Sequence, residues 1–228
     1  MIRRTVRVCS ASFAGLAILY GLIWLLAWSL KDRDALYQSK PVDYWIEQLN
    51  SQDPTTRNRA VALINTEIIP QLTNSIFCDT NDSRIKLALV DELNNLPGIL
   101  IHCATADVRR CSAISELGEL GPVASRAGPA LLQALASNDE AVKGPAAVVL
   151  GKIRFQPEHV VTLLIALLDD SFLRAEAAEG LGGFGALSKA AVPKLSALLN
   201  LRDKEVRHAA REALGKIDPA TITEGGVK

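Results

Sequence analysis

Asp203-Lys204-Glu205-Val206-Arg207-His208-Ala209-Ala210-Arg211-Glu212-Ala213-Leu214-Gly215 decides the fold, because the chain repeats this stretch. Asp170-Ser171-Phe172-Leu173-Arg174 runs on to Leu181-Gly182, and Asp139-Glu140-Ala141-Val142-Lys143 to Leu150-Gly151. An earlier copy runs from Arg110 to Leu117-Gly118. The basic residue recurs at 110, 143, 174 and 207 and the glycine at 118, 151, 182 and 215, both in steps of 33, 31 and 33. A fixed period of this size implies stacked supersecondary units, each burying its apolar face against its neighbours.

Each copy reads as a helix marked at both ends. The Asp is a good N-cap, its carboxylate placed to accept from the free N–H groups of the first turn. Apolar residues follow at helical spacing: Leu173, Ala177, Ala178 and Leu181 in one copy, Val206, Ala210, Ala213 and Leu214 in the next. The glycine is expected to stop the helix in the left-handed conformation. A second apolar run follows each stop, over Pro129–Ala136, His159–Leu168 and Val192–Leu201, with Pro129 and Pro193 at first-turn positions. Alanine three residues after the base (Ala113, Ala146, Ala177, Ala210) suggests close helix–helix contact.

The pattern Asp-x-x-Val-Arg-x-x-Ala-x-x-x-Leu-Gly resembles HEAT repeats, especially the short type first associated with phycobilin lyases. The resemblance covers residues 104–218 well. A weaker copy keeps Asp53, Arg57, Ala60 and Ile64, but Asn65 replaces the glycine and Pro70 falls early in the following run. Asp82–Leu96 reads as an amphipathic helix in a degenerate region, and Pro41–Leu49 as a capping helix, since terminal repeats are atypical. The expected fold is therefore all-α: an α-solenoid of HEAT-like helix pairs preceded by one transmembrane helix. Its organisation is an N-terminus (1–10), membrane helix (11–30), linker (31–40), cap and degenerate repeats (41–103), regular repeats (104–218) and tail (219–228).

The membrane helix rests on Cys9–Leu30, which carries no charge. Residues 11–30 alone would make roughly 30 Å of helix, about the thickness of the hydrocarbon core. Arg3, Arg4 and Arg7 precede it and a formally neutral Lys31-Asp32-Arg33-Asp34 follows. That asymmetry predicts a cytoplasmic N-terminus and an extracytoplasmic, periplasmic-type repeat domain, in a single-pass inner (plasma) membrane protein. Trp24 and Trp28 fall toward the outer interface. A cleaved signal peptide is the competing reading; the length of the core and Trp28 in the cleavage region favour the anchor.

Aromatic residues make up only 5% of the chain, which argues against a sheet-rich fold. Residues 41–228 hold 19 bases and 23 acids, a net of −4, a poor match to the basic stripe that nucleic acid requires. Of four cysteines, Cys78, Cys103 and Cys111 fall beyond the apolar segment; one disulfide or none is compatible with the sequence.

No chemistry stands out against its structural explanation. The acid–base series Asp139, Lys143, Asp170, Arg174, Asp203 and Arg207 reads as a structural ladder between repeats, an arrangement the HEAT resemblance implies. His102, His159 and His208 sit in different units, and His102-Cys103 with Cys111 lacks the spacing of a metal site. The iron-holding HEAT-repeat hydroxylases use His-Glu dipeptides, and this chain has none. Gly180-Leu181-Gly182-Gly183-Phe184-Gly185 ends a helix, whereas a phosphate loop opens one after a strand. No catalytic, cofactor-binding or metal-ligating residue is therefore expected.

The expected function is non-catalytic: a membrane-anchored scaffold that binds a protein partner, with the bilayer held through residues 11–30 and no nucleic acid or cofactor. Second helices of HEAT units line the concave face, which makes Gln133, Thr162, Lys194 and Ser196 the candidate partner surface. The alternatives are a structural subunit of a membrane complex and a chromophore lyase or chaperone-like HEAT protein.

Overall fold

The protein is represented by a computed structural model that describes residues 20–26, 36–80, 82–96, 101 and 104–219. Every regular element among these is helical, and the nearest thing to a strand is one antiparallel bridge between Tyr37 and Lys40. The helices are α1 Val42–Leu49, α2 Pro54–Leu63, α3 Ile69–Cys78, α4 Arg84–Asn94, α5 Ala106–Glu119, α6 Gly128–Leu135, α7 Glu140–Ile153, α8 Pro157–Leu167, α9 Arg174–Phe184, α10 Val192–Leu198 and α11 Lys204–Ile217. They fall into two units. Residues 20–26 group with 80–106, and residues 36–79 group with 107–219. The segment 41–79 therefore groups with the regular repeats, whereas 80–106 does not.

The smaller unit has its own core, in which Ile23 packs against Val90, Leu93 and Ile101. Ser83 caps α4 by accepting from the Lys86 amide at 3.2 Å. Asn94 clasps the backbone of Ile101 from both sides, accepting from its N–H at 2.7 Å and donating to its carbonyl at 3.1 Å. No helix among the described residues is long and apolar enough to cross a membrane. The predicted membrane helix lies outside the described residues except for 20–26, which are helical.

The larger unit is a two-layer stack whose buried side chains form one continuous cluster from Tyr37 to Ile217. The first helices α5, α7, α9 and α11 make one layer, and α6, α8 and α10 the other. The repeating leucine is fully or almost fully buried at each position (Leu117, Leu150, Leu181, Leu214), as are Ala113, Ala146, Ala177 and Ala210. Each such leucine contributes about 2 kcal/mol by leaving water. Asp139 caps α7 through the Ala141 amide at 3.1 Å, and Asp203 caps α11 through the Glu205 amide at 2.9 Å. Asp170 differs. It accepts from the Phe172 amide at 2.9 Å and closes a turn, and α9 begins only at Arg174.

The repeating glycines do not stop these helices. Each first helix runs through its glycine and ends one or two residues later, at Glu119, Ile153, Phe184 and Ile217. The left-handed residues lie beyond, at Gly121 (φ +58°), Arg154 (φ +53°) and Gly185 (φ +58°). Closeness explains the glycines instead. A Cβ on Gly151 would stand 2.1 Å from the Gly180 carbonyl oxygen, and one on Gly180 would stand 2.4 Å from that of Ala147. Helices α7 and α9 thus meet backbone to backbone, and the stack accepts the helix-weakening cost of glycine, about 1 kcal/mol each, to bring them together.

The weak upstream copy also departs from a helix–turn–helix. With Asn65 where glycine recurs elsewhere, the chain passes from α2 into α3 through one widened π turn, Ile64–Ile68, in which the Ile69 amide bonds the Ile64 carbonyl. Asn65 donates to the Val61 carbonyl at 2.8 Å and Thr66 to that of Ala62 at 2.9 Å. Pro70 follows directly, where its missing N–H and bulky ring would otherwise break a regular helix.

Candidate interaction surface

The second-layer helices present the residues proposed for contact. Gln133 on α6 and Thr162 on α8 are exposed, and Ser196 on α10 is half-buried. Thr162 uses its hydroxyl hydrogen on the Glu158 carbonyl at 2.9 Å. Lys194 is committed elsewhere. Its Nζ donates to the Asp169 carboxylate at 2.7 Å and to the Ile165 carbonyl at 3.2 Å, tying α10 to the end of α8. Of the four, Gln133 and Thr162 offer the most accessible side chains.

The acid–base series does not form one uniform ladder. Its clearest rung involves Arg110, which lies outside the six residues singled out, and runs forward: Arg110 Nη1 donates to Asp139 of the following repeat, while Nη2 donates to Asp107 at 2.5 Å. Burial alone would lower the Arg110 pKa, but the hydrogen bonds and charges of Asp107 and Asp139 outweigh it and raise it. The neighbouring Arg109 makes a two-pronged pair with Asp79 at the end of α3, at 2.7 and 2.6 Å. Arg174 and Arg207 instead donate to backbone carbonyls, of Asp170 at 3.3 Å and Leu201 at 2.7 Å. Lys143 is half-buried and no ion pair joins it to Asp170.

Two further features were not visible in the repeat pattern. A cleft of about 260 Å³ between α9 and α11 is lined by Glu176, Glu179, Glu205, His208 and Glu212. A second cavity, of about 310 Å³, lies where the Tyr37–Lys40 turn meets α1 and α2. Among the described residues no group of three or more His, Cys, Asp or Glu side chains could hold a metal ion. His102 and Cys103 lie outside the described residues, and Cys78 and Cys111 are free thiols. The Gly180–Gly185 run lies inside α9 and at its end, pressed against α7 and facing Ala213 of α11, which leaves it no role as a phosphate loop.

Two crystal structures of engineered proteins from the Northeast Structural Genomics Consortium are similar to this chain. One is 22% identical over 77% of this chain and 78% of its own, with a TM-score of 0.40. The other is 20% identical over 79% of this chain and 48% of its own, with a TM-score of 0.38. No curated protein matches the sequence significantly. The family description for HEAT repeats matches residues 93–182 and 161–223, more than half of the 228 residues, and this covers the stacked pairs described above. The chain belongs to the HEAT-repeat family.

Proposed function

We propose that this protein is a non-catalytic scaffold, anchored in a membrane through residues 11–30, whose HEAT repeats bind a protein partner on the extracytoplasmic side. The observation that carries the reading is the division of labour in the stack. The first helices are consumed by contact with one another, while α6 and α8 turn Gln133 and Thr162 outward. The uncharged stretch Cys9–Leu30, preceded by three arginines, supports the anchor and its orientation.

Photo-crosslinking groups at Gln133 and Thr162 in intact cells test it, with Lys152 and Arg211 on the first-helix layer as controls. The expected result is one defined partner captured from 133 and 162 and absent from 152 and 211. Capture without positional preference would overturn the binding face.

A second reading is favoured by the exposure of Tyr20, Leu22, Trp24, Leu25 and Leu26. Such side chains suit a helix that packs within a membrane complex as a structural subunit. Replacing residues 11–30 by an unrelated anchor separates the two: a tether tolerates the exchange, whereas a packing helix loses its complex.

A further inference from the structure

The cavity beside the Tyr37–Lys40 turn is built differently from the rest of the surface. Gln38 and Ser39 both hold left-handed backbones, φ +50° and φ +64°, with no glycine at either position. Each costs on the order of 1 kcal/mol or more. The turn is held by the paired bonds Tyr37 N–H to Lys40 O at 2.8 Å and Lys40 N–H to Tyr37 O at 3.1 Å. Burial of Tyr37 and a bond from Trp45 Nε1 to its carbonyl at 3.1 Å lock it to α1. The turn brings Gln38 and Lys40 together with Tyr44 and Gln48 of α1 and Thr56 and Arg59 of α2 around one space of about 310 Å³.

The electrostatics of that space are one-sided. Two cations line it and no acid does, in a region where acids outnumber bases. Arg59 donates one N–H to Gln38 Oε1 at 3.2 Å, and Lys40 Nζ stands 5.2 Å from the Tyr44 ring centroid. Neither cation has a carboxylate partner among the described residues. A guanidinium fork, an ammonium and two neutral amides match a carboxylate with a peptide group next to it. Phosphate sites typically use backbone N–H groups at a helix N-terminus or nest, and the Asp53 carboxylate already accepts those of Thr55 and Thr56 at the start of α2.

We propose that this cavity is a recognition pocket for a peptide carboxylate, gripped by Arg59 and Lys40, with Gln38 and Gln48 bonding the adjoining amide. The volume, at the small end of ligand sites, suits one terminal residue or one acidic side chain. The proposal deepens the scaffold reading by assigning it a ligand chemistry, and rests on that reading for the ligand being part of a protein.

Calorimetric titration of the full chain in detergent tests it, using three probes: N-acetyl-trialanine with a free carboxylate, the same peptide amidated, and amidated N-acetyl-Ala-Glu-Ala. Binding of the free acid at least tenfold tighter than its amide supports a chain terminus as the source; preferential binding of the glutamyl peptide supports an acidic side chain. Arg59→Gln and Lys40→Gln are each expected to weaken the preferred probe tenfold or more, with Arg59→Lys milder and Arg211→Gln, at an exposed position of α11, without effect. Helical circular dichroism of each variant verifies its fold. Equal binding of acid and amide, unchanged binding by Arg59→Gln, or no binding of any probe at millimolar concentration overturns the pocket. Crosslinking from Gln133 and Thr162 reads the scaffold separately, so the two failures are distinguishable.

Discussion

Cys111 donates its thiol to the carbonyl oxygen of Ala141, 3.0 Å away on the neighbouring helix. That carbonyl is the one Pro145, inside α7, leaves without a helix N–H, four residues along. One repeat thus repairs a defect in the next. Burial pushes the thiol pKa up and Asp107 adds to it, with Arg110 opposing, so the group stays a donor at neutral pH.

Removing the thiol should expose the defect. Cys111→Ala is expected to lower stability by about 1–2 kcal/mol, and Cys111→Ser by less. In a Pro145→Ala background, where a helix N–H reaches the Ala141 carbonyl, the cost of Cys111→Ala should shrink. A double-mutant cycle by urea unfolding measures this, and zero coupling would refute the repair.

The contact between α7 and α9 predicts a reversed sign for glycine substitution. Alanine at a helical glycine ordinarily stabilises by about 1 kcal/mol. Gly151→Ala and Gly180→Ala should destabilise by about 2–3 kcal/mol, because the obstacles are backbone carbonyls. Gly118→Ala should cost less, since its nearest obstacle is a methyl of Val149, 2.9 Å away, on a side chain that can shift. Thermal unfolding of the three variants gives the order.

The arginines of the repeat should separate by burial. The Arg110 side chain is 11% exposed and serves two carboxylates. Arg110→Ala should cost about 2–3 kcal/mol, below the range for a fully buried pair because Asp107 faces water. Arg174→Ala and Arg207→Ala, which remove only bonds to carbonyls, should each cost about 1 kcal/mol or less. Urea midpoints of the three variants decide.

Tyr37 supplies a prediction in alkaline solution. Its pKa is pushed up to about 12 by burial and by the charge of Glu116. The folded state holds the phenol neutral while the unfolded chain ionises near pH 10, so this contribution is full below pH 10 and is lost as pH rises toward 12. The loss is about 2 kcal/mol. Tyr37→Phe should abolish that component and cost little at pH 7, because the buried hydroxyl has no hydrogen-bond partner among the described residues. Unfolding at pH 7 and pH 11 tests both parts.

The stack was legible wherever the signal was local. Helical spacing put Leu117, Leu150, Leu181 and Leu214 inside, and the second runs fell within a few residues of α6, α8 and α10. Glycine was misread because a helix stop and a close crossing select the same residue. Only the facing helix distinguishes them, and Gly180 lies 29 residues from Gly151. Separations of 29 and 25 residues likewise hid the pairing of Arg110 with Asp139 and the commitment of Lys194 to Asp169. The basic cavity was illegible for another reason: its turn adopts left-handed backbone at Gln38 and Ser39 without the glycine or asparagine that would announce it.

The π turn at Ile64–Ile68 acts as a phase corrector. An α-helix advances about 100° per residue, so on an uninterrupted helix Ile69, Leu72 and Ile76 would point well over 90° away from Ala60, Leu63 and Ile64. All six are buried. The surplus residue taken up by the widened turn rotates the second half back by about 100° and returns both sets to the same side. This segment should therefore answer a deletion and an insertion in opposite ways. Deleting one residue between 64 and 68 would leave a regular helix with both apolar sets still on one side, whereas inserting one more would turn Ile69, Leu72 and Ile76 toward water.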